Sequence, residues 1–206
     1  MKRGFDLLVA TAGLLFFLPA FLVIAIAIVM GDGGSVFYWQ IRVGRGGNPF
    51  RIWKFRTMRR DAERMGPGIT VAGDARVTRV GRLLRRYKLD ELPQLINVLT
   101  GDMSLVGPRP EIPHYVSLYT LAQRQVLEVR PGITDPASLQ FRDEEMLLAK
   151  ASDPERFYRE FCIPTKVNLN LEYIRIASFA SDLKMIYRTT VAVVGLRPPQ
   201  DDENRT

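Results

Sequence analysis

Leu7 to Met30 form 24 consecutive residues without a charged side chain. As a helix rising ~1.5 Å per residue they span about 36 Å, enough for a hydrocarbon core of ~30 Å, so the sequence predicts a membrane element. A secretory signal, with Lys2-Arg3 as its charged start and Ala25-Ile26-Ala27 as its cleavage site, would carry a shorter apolar run of ~7–15 residues. Basic residues flank both ends, Lys2 and Arg3 on one side and Arg42, Arg45 and Arg51 on the other. The positive-inside tendency therefore draws both ends to the cytoplasm. Pro19 sits at the midpoint, where it removes an amide donor and clashes with the carbonyl four residues back, which predicts a kink. The resulting expectation is a helix over 7–30 that enters, bends at Leu18-Pro19 and returns to the same face. A kinked single span is the alternative.

One cysteine, Cys162, and one histidine, His114, exclude an internal disulfide, a Cys/His zinc site and a Cys/His hydrolase; both are read as structural. The formal charge is +7, but it is local. Residues 41–60 hold seven Lys/Arg and no acid, 76–88 hold six more and no acid, and the rest of the chain is net acidic. Such clusters call for an anionic partner. Nucleic acid is not expected, because no stacking platform or known reading motif accompanies the bases.

The predicted fold is α+β and mostly helical: a re-entrant membrane helix over 1–35, a cytosolic domain over 36–197 and a disordered acidic tail over 198–206. Val36–Arg42 and Phe50–Arg56 are aromatic and β-branched runs joined by a Gly-rich link, which predicts a small β-hairpin. Residues 59–74, with Gly66-Pro67-Gly68, predict a loop. Arg76–Lys88 has Val77, Val80, Leu84 and Tyr87 at helical spacing, with Arg79, Arg82 and Arg86 as a basic stripe on another face. Pro93 suits the first turn of a helix over Gln94–Leu99, which leaves Asp90-Glu91 at a helix N-terminus that favours negative charge. Gly101–Pro110 predicts a rigid loop, Ile112–Val129 a helix and Arg130-Pro131-Gly132 a turn. Lys166–Ile176 and Ser181–Val194 predict two helices apolar enough to lie on a bilayer.

No Walker A loop is present, Gly44–Gly47 is not a dinucleotide fingerprint, and no Asp-x-Asp occurs. What remains is the Asp90-Glu91 pair after a basic stripe, with Lys54, Arg56 and Arg109. A carboxylate can attack phosphorus and form an acyl phosphate if Mg²⁺ and Arg/Lys donors neutralise the phosphate charge. Each part also has a plain reading. An Asp-Glu pair often caps a helix, and basic residues beside a membrane segment bind lipid head groups at about 1 kcal/mol each. A non-catalytic, membrane-associated scaffold binding anionic lipid is therefore the competing expectation.

In combination, KFRTM (Lys54–Met58), LDELPQLINVLTGDMSLVGPRP (Leu89–Pro110) and VRPGIT (Val129–Thr134) resemble the bacterial sugar transferases known as monotopic phosphoglycosyl transferases, in their small catalytic form. The resemblance runs from Lys2 to about Val194. It implies transfer of a phosphosugar from a UDP-sugar to polyprenyl (undecaprenyl) phosphate, giving polyprenyl-diphosphate-sugar and UMP, with Mg²⁺ required. It also implies a covalent phosphosugar on Asp90, Glu91 assisting Asp90 in metal binding, and phosphate contacts from Lys54, Arg56, Arg85 and Arg109. The implied location is the cytoplasmic face of the bacterial inner membrane; a homodimer is left open. The chain departs from the family pattern in three places. Leu18-Pro19 stands where small members have Ser-Pro. Asp135-Pro136-Ala137-Ser138 replaces Gly-Trp-Ala-Gln, which leaves the sugar unassigned, and Asn170, where some relatives are acidic, is given no role.

Overall fold

The computed structural model describes residues 1–62, 65 and 70–194. Gly66-Pro67-Gly68 and the expected tail over 198–206 lie outside them. Of the described residues, 62% are helical. Helix α1 spans Lys2–Asp32 and contains Pro19. Strands β1 (Phe37–Val43) and β2 (Pro49–Phe55) pair antiparallel with Trp39 opposite Trp53, forming the expected hairpin. Helices α2 (Arg79–Arg86) and α3 (Gln94–Thr100) follow, then strand β3 (Ser104–Val106) and the short helices α4 (Pro113–Ser117) and α5 (Leu121–Arg124). Strand β4 (Gly132–Thr134) leads into α6 (Pro136–Gln140), α7 (Glu144–Lys150), α8 (Pro154–Phe157), α9 (Ile163–Ile176) and α10 (Phe179–Val194).

The helical backbone of α1 continues through Pro19. Other sequence expectations are corrected. The basic helix begins at Arg79 rather than Arg76, because the Thr78 side chain accepts a hydrogen bond from the Gly81 amide and caps it, while Val77 bridges Met58 in extended backbone. The rigid loop over 101–110 contains β3, and the expected turn at 130–132 runs straight into β4, its parallel partner. The expected helix over 112–129 is three pieces, divided where Thr120 and Gln123 form a reciprocal capping box.

Both ends of α1 are fixed to the same body. At its start, Arg3 donates to the carbonyls of Val98 at 2.7 Å and Leu99 at 3.2 Å, the end of α3 where a cation is favoured. Buried Asp6 accepts from the Ser104 hydroxyl at 2.8 Å, and Lys2 donates to Asp182 of α10 at 2.7 Å. At its other end, Ile24 and Ile28 pack with Phe55 and Leu84, and the Phe21 and Phe55 rings meet edge to face at 4.9 Å. Along the opposite side, Leu8, Leu15, Phe16, Leu22, Val23, Ile26 and Met30 are exposed. A 31-residue helix is about 46 Å long at ~1.5 Å per residue. Its buried stripe and its bare apolar stripe both run most of that length.

Two close approaches set the frame around the acid pair. A Cβ on Gly81 would fall 2.0 Å from the Thr57 carbonyl, so only glycine lets α2 lie on the chain leaving β2. A Cβ on Gly132 would fall 2.1 Å from the Gly107 nitrogen. That contact fixes the Pro108-Arg109-Pro110 segment, since Gly107 N donates to Thr134 O and Gly132 N to Pro108 O, both at 3.0 Å.

Candidate active site

The acid pair lies on a 3₁₀ turn, Leu89–Glu91, entered through Lys88 in the left-handed region at φ 55°. That conformation costs a non-glycine residue about 1–3 kcal/mol and is characteristic of functional turns. It swings the chain from the basic helix α2 so that both acids point inward. Asp90 is 6% and Glu91 8% exposed.

The two carboxyls live in different electrostatic surroundings. Burial opposes ionisation of Glu91, but Arg109 and Lys54 outweigh it and hold the carboxyl well below the usual range. Arg109 grips it with two nitrogens, Nη1 to Oε2 at 3.0 Å and Nη2 to Oε1 at 2.5 Å, and Lys54 Nζ donates to Oε1 at 3.0 Å. The guanidinium is held protonated chiefly by Glu91, with Asp135 and Asp90 adding to it. Lys54 is pulled below its usual value by burial, against the attraction of Glu91. Asp90 is raised, burial first, with Lys54 opposing that and Glu91 reinforcing it. Its Oδ1 is sealed in without a hydrogen-bond partner. An unpaired buried carboxylate oxygen is costly, and here it belongs to the residue type that can act as a nucleophile.

The remaining predicted residues divide. Arg85 reaches the site's edge, where its Nε donates to Thr57 Oγ1 and its Nη1 to Glu145 Oε1, both at 3.0 Å. Arg56 is turned away: its Nη2 pairs with Asp32 Oδ1 at 2.6 Å and donates to the Gly33 carbonyl at the end of α1. The 41–60 and 76–88 bases are thus partly consumed inside the protein, since Arg42 faces Glu111 and Arg76 faces Asp74 as well. Leu18 and Pro19 lie on the exposed side of α1, far along the chain from the acid pair.

Sequence reasoning missed three residues. Gln94, on the same helical path as Asp90 and four residues later, is 1% exposed with neither amide atom paired; nothing in its spacing distinguishes it. Asp135 caps α6 by accepting from the Ser138 amide at 3.0 Å, with Pro136 in the first turn; that Asp-Pro signature was legible as a helix start. Asn97 is fully engaged, its amide bonded to Arg51 O at 2.7 Å and its oxygen to the Trp53 N–H at 3.0 Å, and so it welds α3 to the edge of β2. His114 lies on α4 away from these groups, and Cys162 is buried with its thiol pushed up to about 11 by burial.

As a Mg²⁺ site, the arrangement offers one unengaged carboxylate. Magnesium is commonly held by one or two carboxylates together with substrate phosphates and water. The Asp90 carboxylate fits that pattern, whereas both oxygens of Glu91 are taken by cations. No cluster of three or more metal-ligating side chains exists among the described residues.

The chain matches known proteins over most of its length. The family profile described as bacterial sugar transferase matches residues 1–196. The exopolysaccharide production protein ExoY of Rhizobium meliloti is 35% identical over 93% of this chain and 84% of its own length. The UDP-glucose:undecaprenyl-phosphate glucose-1-phosphate transferase of Escherichia coli is 38% identical over 92% of this chain and 39% of its own length. The UDP-N-acetylgalactosamine-undecaprenyl-phosphate N-acetylgalactosaminephosphotransferase of Aeromonas hydrophila is 44% identical over 65% of this chain and 32% of its own. With a profile match over nearly its whole length and an acid pair set among lysine and arginine, the chain belongs to the bacterial sugar transferase family.

Proposed function

We propose that this protein transfers a phosphosugar from a UDP-sugar to polyprenyl phosphate, with Asp90 as nucleophile. The observation that carries the reading is the Asp90 carboxylate, buried, unpaired at Oδ1 and flanked by Lys54 and the Arg109–Glu91 pair. A carboxylate oxygen of Asp90 attacks the phosphorus that bears the sugar, the bond from that phosphorus to the bridging oxygen breaks, and UMP leaves with the electron pair. The phosphate oxygen of the lipid then attacks the same phosphorus, the acyl–phosphate bond breaks, and the Asp90 carboxylate is restored. The acceptor is already an anion, so neither step needs a His or Cys base. Lys54 and Arg109 stabilise the charge developing on the phosphoryl oxygens. Glu91 holds both cations in place. Mg²⁺, bound through Asp90 and substrate phosphate, would supply further charge neutralisation.

The attachment of α1 supports a re-entrant helix. A straight span would carry Lys2, Arg3 and Asp6 to the side opposite Asp32, yet all four bond to the one body. In this reading the bare apolar stripe of α1, together with the exposed Phe179, Leu183 and Tyr187 on α10, faces the bilayer, and the catalytic groups sit at its cytoplasmic surface, where lipid phosphate and nucleotide can both arrive. The test is UMP release from the solubilised full chain with undecaprenyl phosphate, Mg²⁺ and a panel of UDP-sugars. Release with at least one sugar, together with a phosphosugar adduct that accumulates on the protein when lipid is withheld, is expected. Unaltered release by Asp90→Asn would overturn the assignment.

A further inference from the structure

The two faces of the hairpin β1–β2 meet different surroundings. Side chains alternate across a strand, and on one face Lys54 reaches Glu91, Arg42 reaches Glu111 and Ile52 enters the core. The opposite face carries Phe37, Trp39 and Ile41 of β1, set across from Phe55, Trp53 and Arg51 of β2 by the strand register. Phe37 is 40%, Trp39 45% and Ile41 37% exposed.

A row of rings joins this face to α1. Phe21 of α1 meets Phe55 at 4.9 Å, Phe55 stacks with Phe37 at 5.4 Å, and Phe37 meets Trp53 edge to face at 6.4 Å, with Trp39 opposite Trp53. The Arg51 guanidinium lies over the Trp39 ring, 4.5 Å from its centre. Arg51 and, at the hairpin tip, Arg45 are exposed, and among the described residues neither pairs with a carboxylate. Large rings with a polar edge, set beside arginine, are suited to the boundary between water and lipid, where the ring enters the acyl edge and the cation meets a phosphate. A second copy of the chain is a poorer fit. Aromatic side chains offer ~150–250 Å² each, so three side chains exposed at 37–45% fall well short of the ~800 Å² that each partner of a stable dimer contributes.

We propose that the outward face of the hairpin is a second membrane contact, with Phe37, Trp39 and Ile41 seated in the head-group layer of a phospholipid bilayer and Arg51 on a lipid phosphate. This rests on the bilayer placement of α1 proposed above, because the row of rings continues from that helix. It goes beyond that placement in one respect: the strand that carries Lys54 is itself held to the lipid surface. Trp53 and Lys54 are neighbours on opposite faces, so lipid on one side sets the height of the lysine that holds Glu91 on the other.

Trp39 and Trp53 are the only two tryptophans in the chain, so intrinsic fluorescence reports this face alone. The test places the full chain in nanodiscs of phosphatidylethanolamine and phosphatidylglycerol whose acyl chains are brominated either near the head group or near the tail end. Emission from wild type, and from Trp53→Phe with Trp39 as sole reporter, is expected to be lost more with the shallow bromines than with the deep ones, and to be little affected by aqueous iodide. If Trp53→Phe does not fold, wild type carries the same measurement. A chain with Trp39→Phe, Trp53→Phe and Phe16→Trp moves the one tryptophan to the bare stripe of α1, where Phe16 is 77% exposed, and serves as the control. Loss of emission from the control without loss from Trp39 overturns the hairpin contact alone. Quenching by iodide would then put the face in water, and protection from every quencher would put a second copy or another protein on it. Quenching of Trp39 that is strongest with the deep bromines overturns the head-group position. A control that no bromine reaches overturns the bilayer placement of α1, and the hairpin contact with it.

Discussion

Arg109 holds Glu91 as a two-pronged pair, Nη1 to Oε2 at 3.0 Å and Nη2 to Oε1 at 2.5 Å. A guanidinium makes this parallel contact and an ammonium cannot. Arg109→Lys should therefore lower kcat/KM by about 10²-fold, the usual loss when one transition-state donor is removed. Glu91→Gln should produce a loss of the same order by releasing Lys54 and Arg109 from their positions. Steady-state UMP release checks both, and a double variant much less than additive would confirm that the pair acts as a unit.

Asp90 should show opposite effects on stability and turnover. Its carboxyl is raised by burial, so in the folded state it is destabilising at any pH above the unfolded value, and that cost is relieved as pH falls through the folded value. Asp90→Asn removes it. In EDTA at neutral pH, the variant is expected to melt higher, by roughly 2–4 °C for each kcal/mol relieved, while turnover is lost. In the wild type, kcat/KM should fall on the acid side with a limb above the ordinary carboxylate range. Glu91, held well below that range, stays ionised throughout.

The Arg56–Asp32 pair predicts a structural phenotype. Arg56 and Asp32 meet at 2.6 Å with 8% and 28% of their side chains exposed, joining the end of α1 to the end of β2. Arg56→Ala and Asp32→Ala should lower the melting temperature alike, and a double-mutant cycle should return a coupling of about 0.5–3 kcal/mol. If Arg56 instead contacts substrate phosphate, Arg56→Ala alone will collapse turnover while Asp32→Ala leaves it intact.

Gly4 offers a clean reporter of topology. It is exposed, and a Cβ there meets nothing within 4 Å, whereas Lys2 and Arg3 are both engaged. Cys162 is buried and will contribute little background. A Gly4→Cys variant in intact cells is expected to resist an impermeant maleimide and to react after the membrane is opened. Labelling in intact cells would show that α1 crosses the bilayer.

The long apolar helix, the hairpin and the acid pair were legible because each is a local pattern: an uncharged run, an alternation of aromatic and β-branched residues around glycines, and two acids wedged between a basic stripe and Pro93. The β3–β4 pair was not, since three-residue strands carry no period and their pairing joins segments 28 positions apart, Ser104 with Gly132. The break in the expected helix over 112–129 was written in Thr120 and Gln123, but a capping box shows only once the backbone turns there.

By itself the sequence determined the kinds of groups available: a long apolar helix, two adjacent carboxylates, an excess of Lys and Arg in two stretches, and almost no His or Cys. Only the tertiary structure decided which of those groups meet. It directed Arg56 to Asp32 and Arg109 to Glu91, and left Asp90 Oδ1 unpaired. The physical reason is that composition and periodicity are fixed along the chain. Desolvation and pairing depend on what segments far apart in sequence bring to the same buried volume.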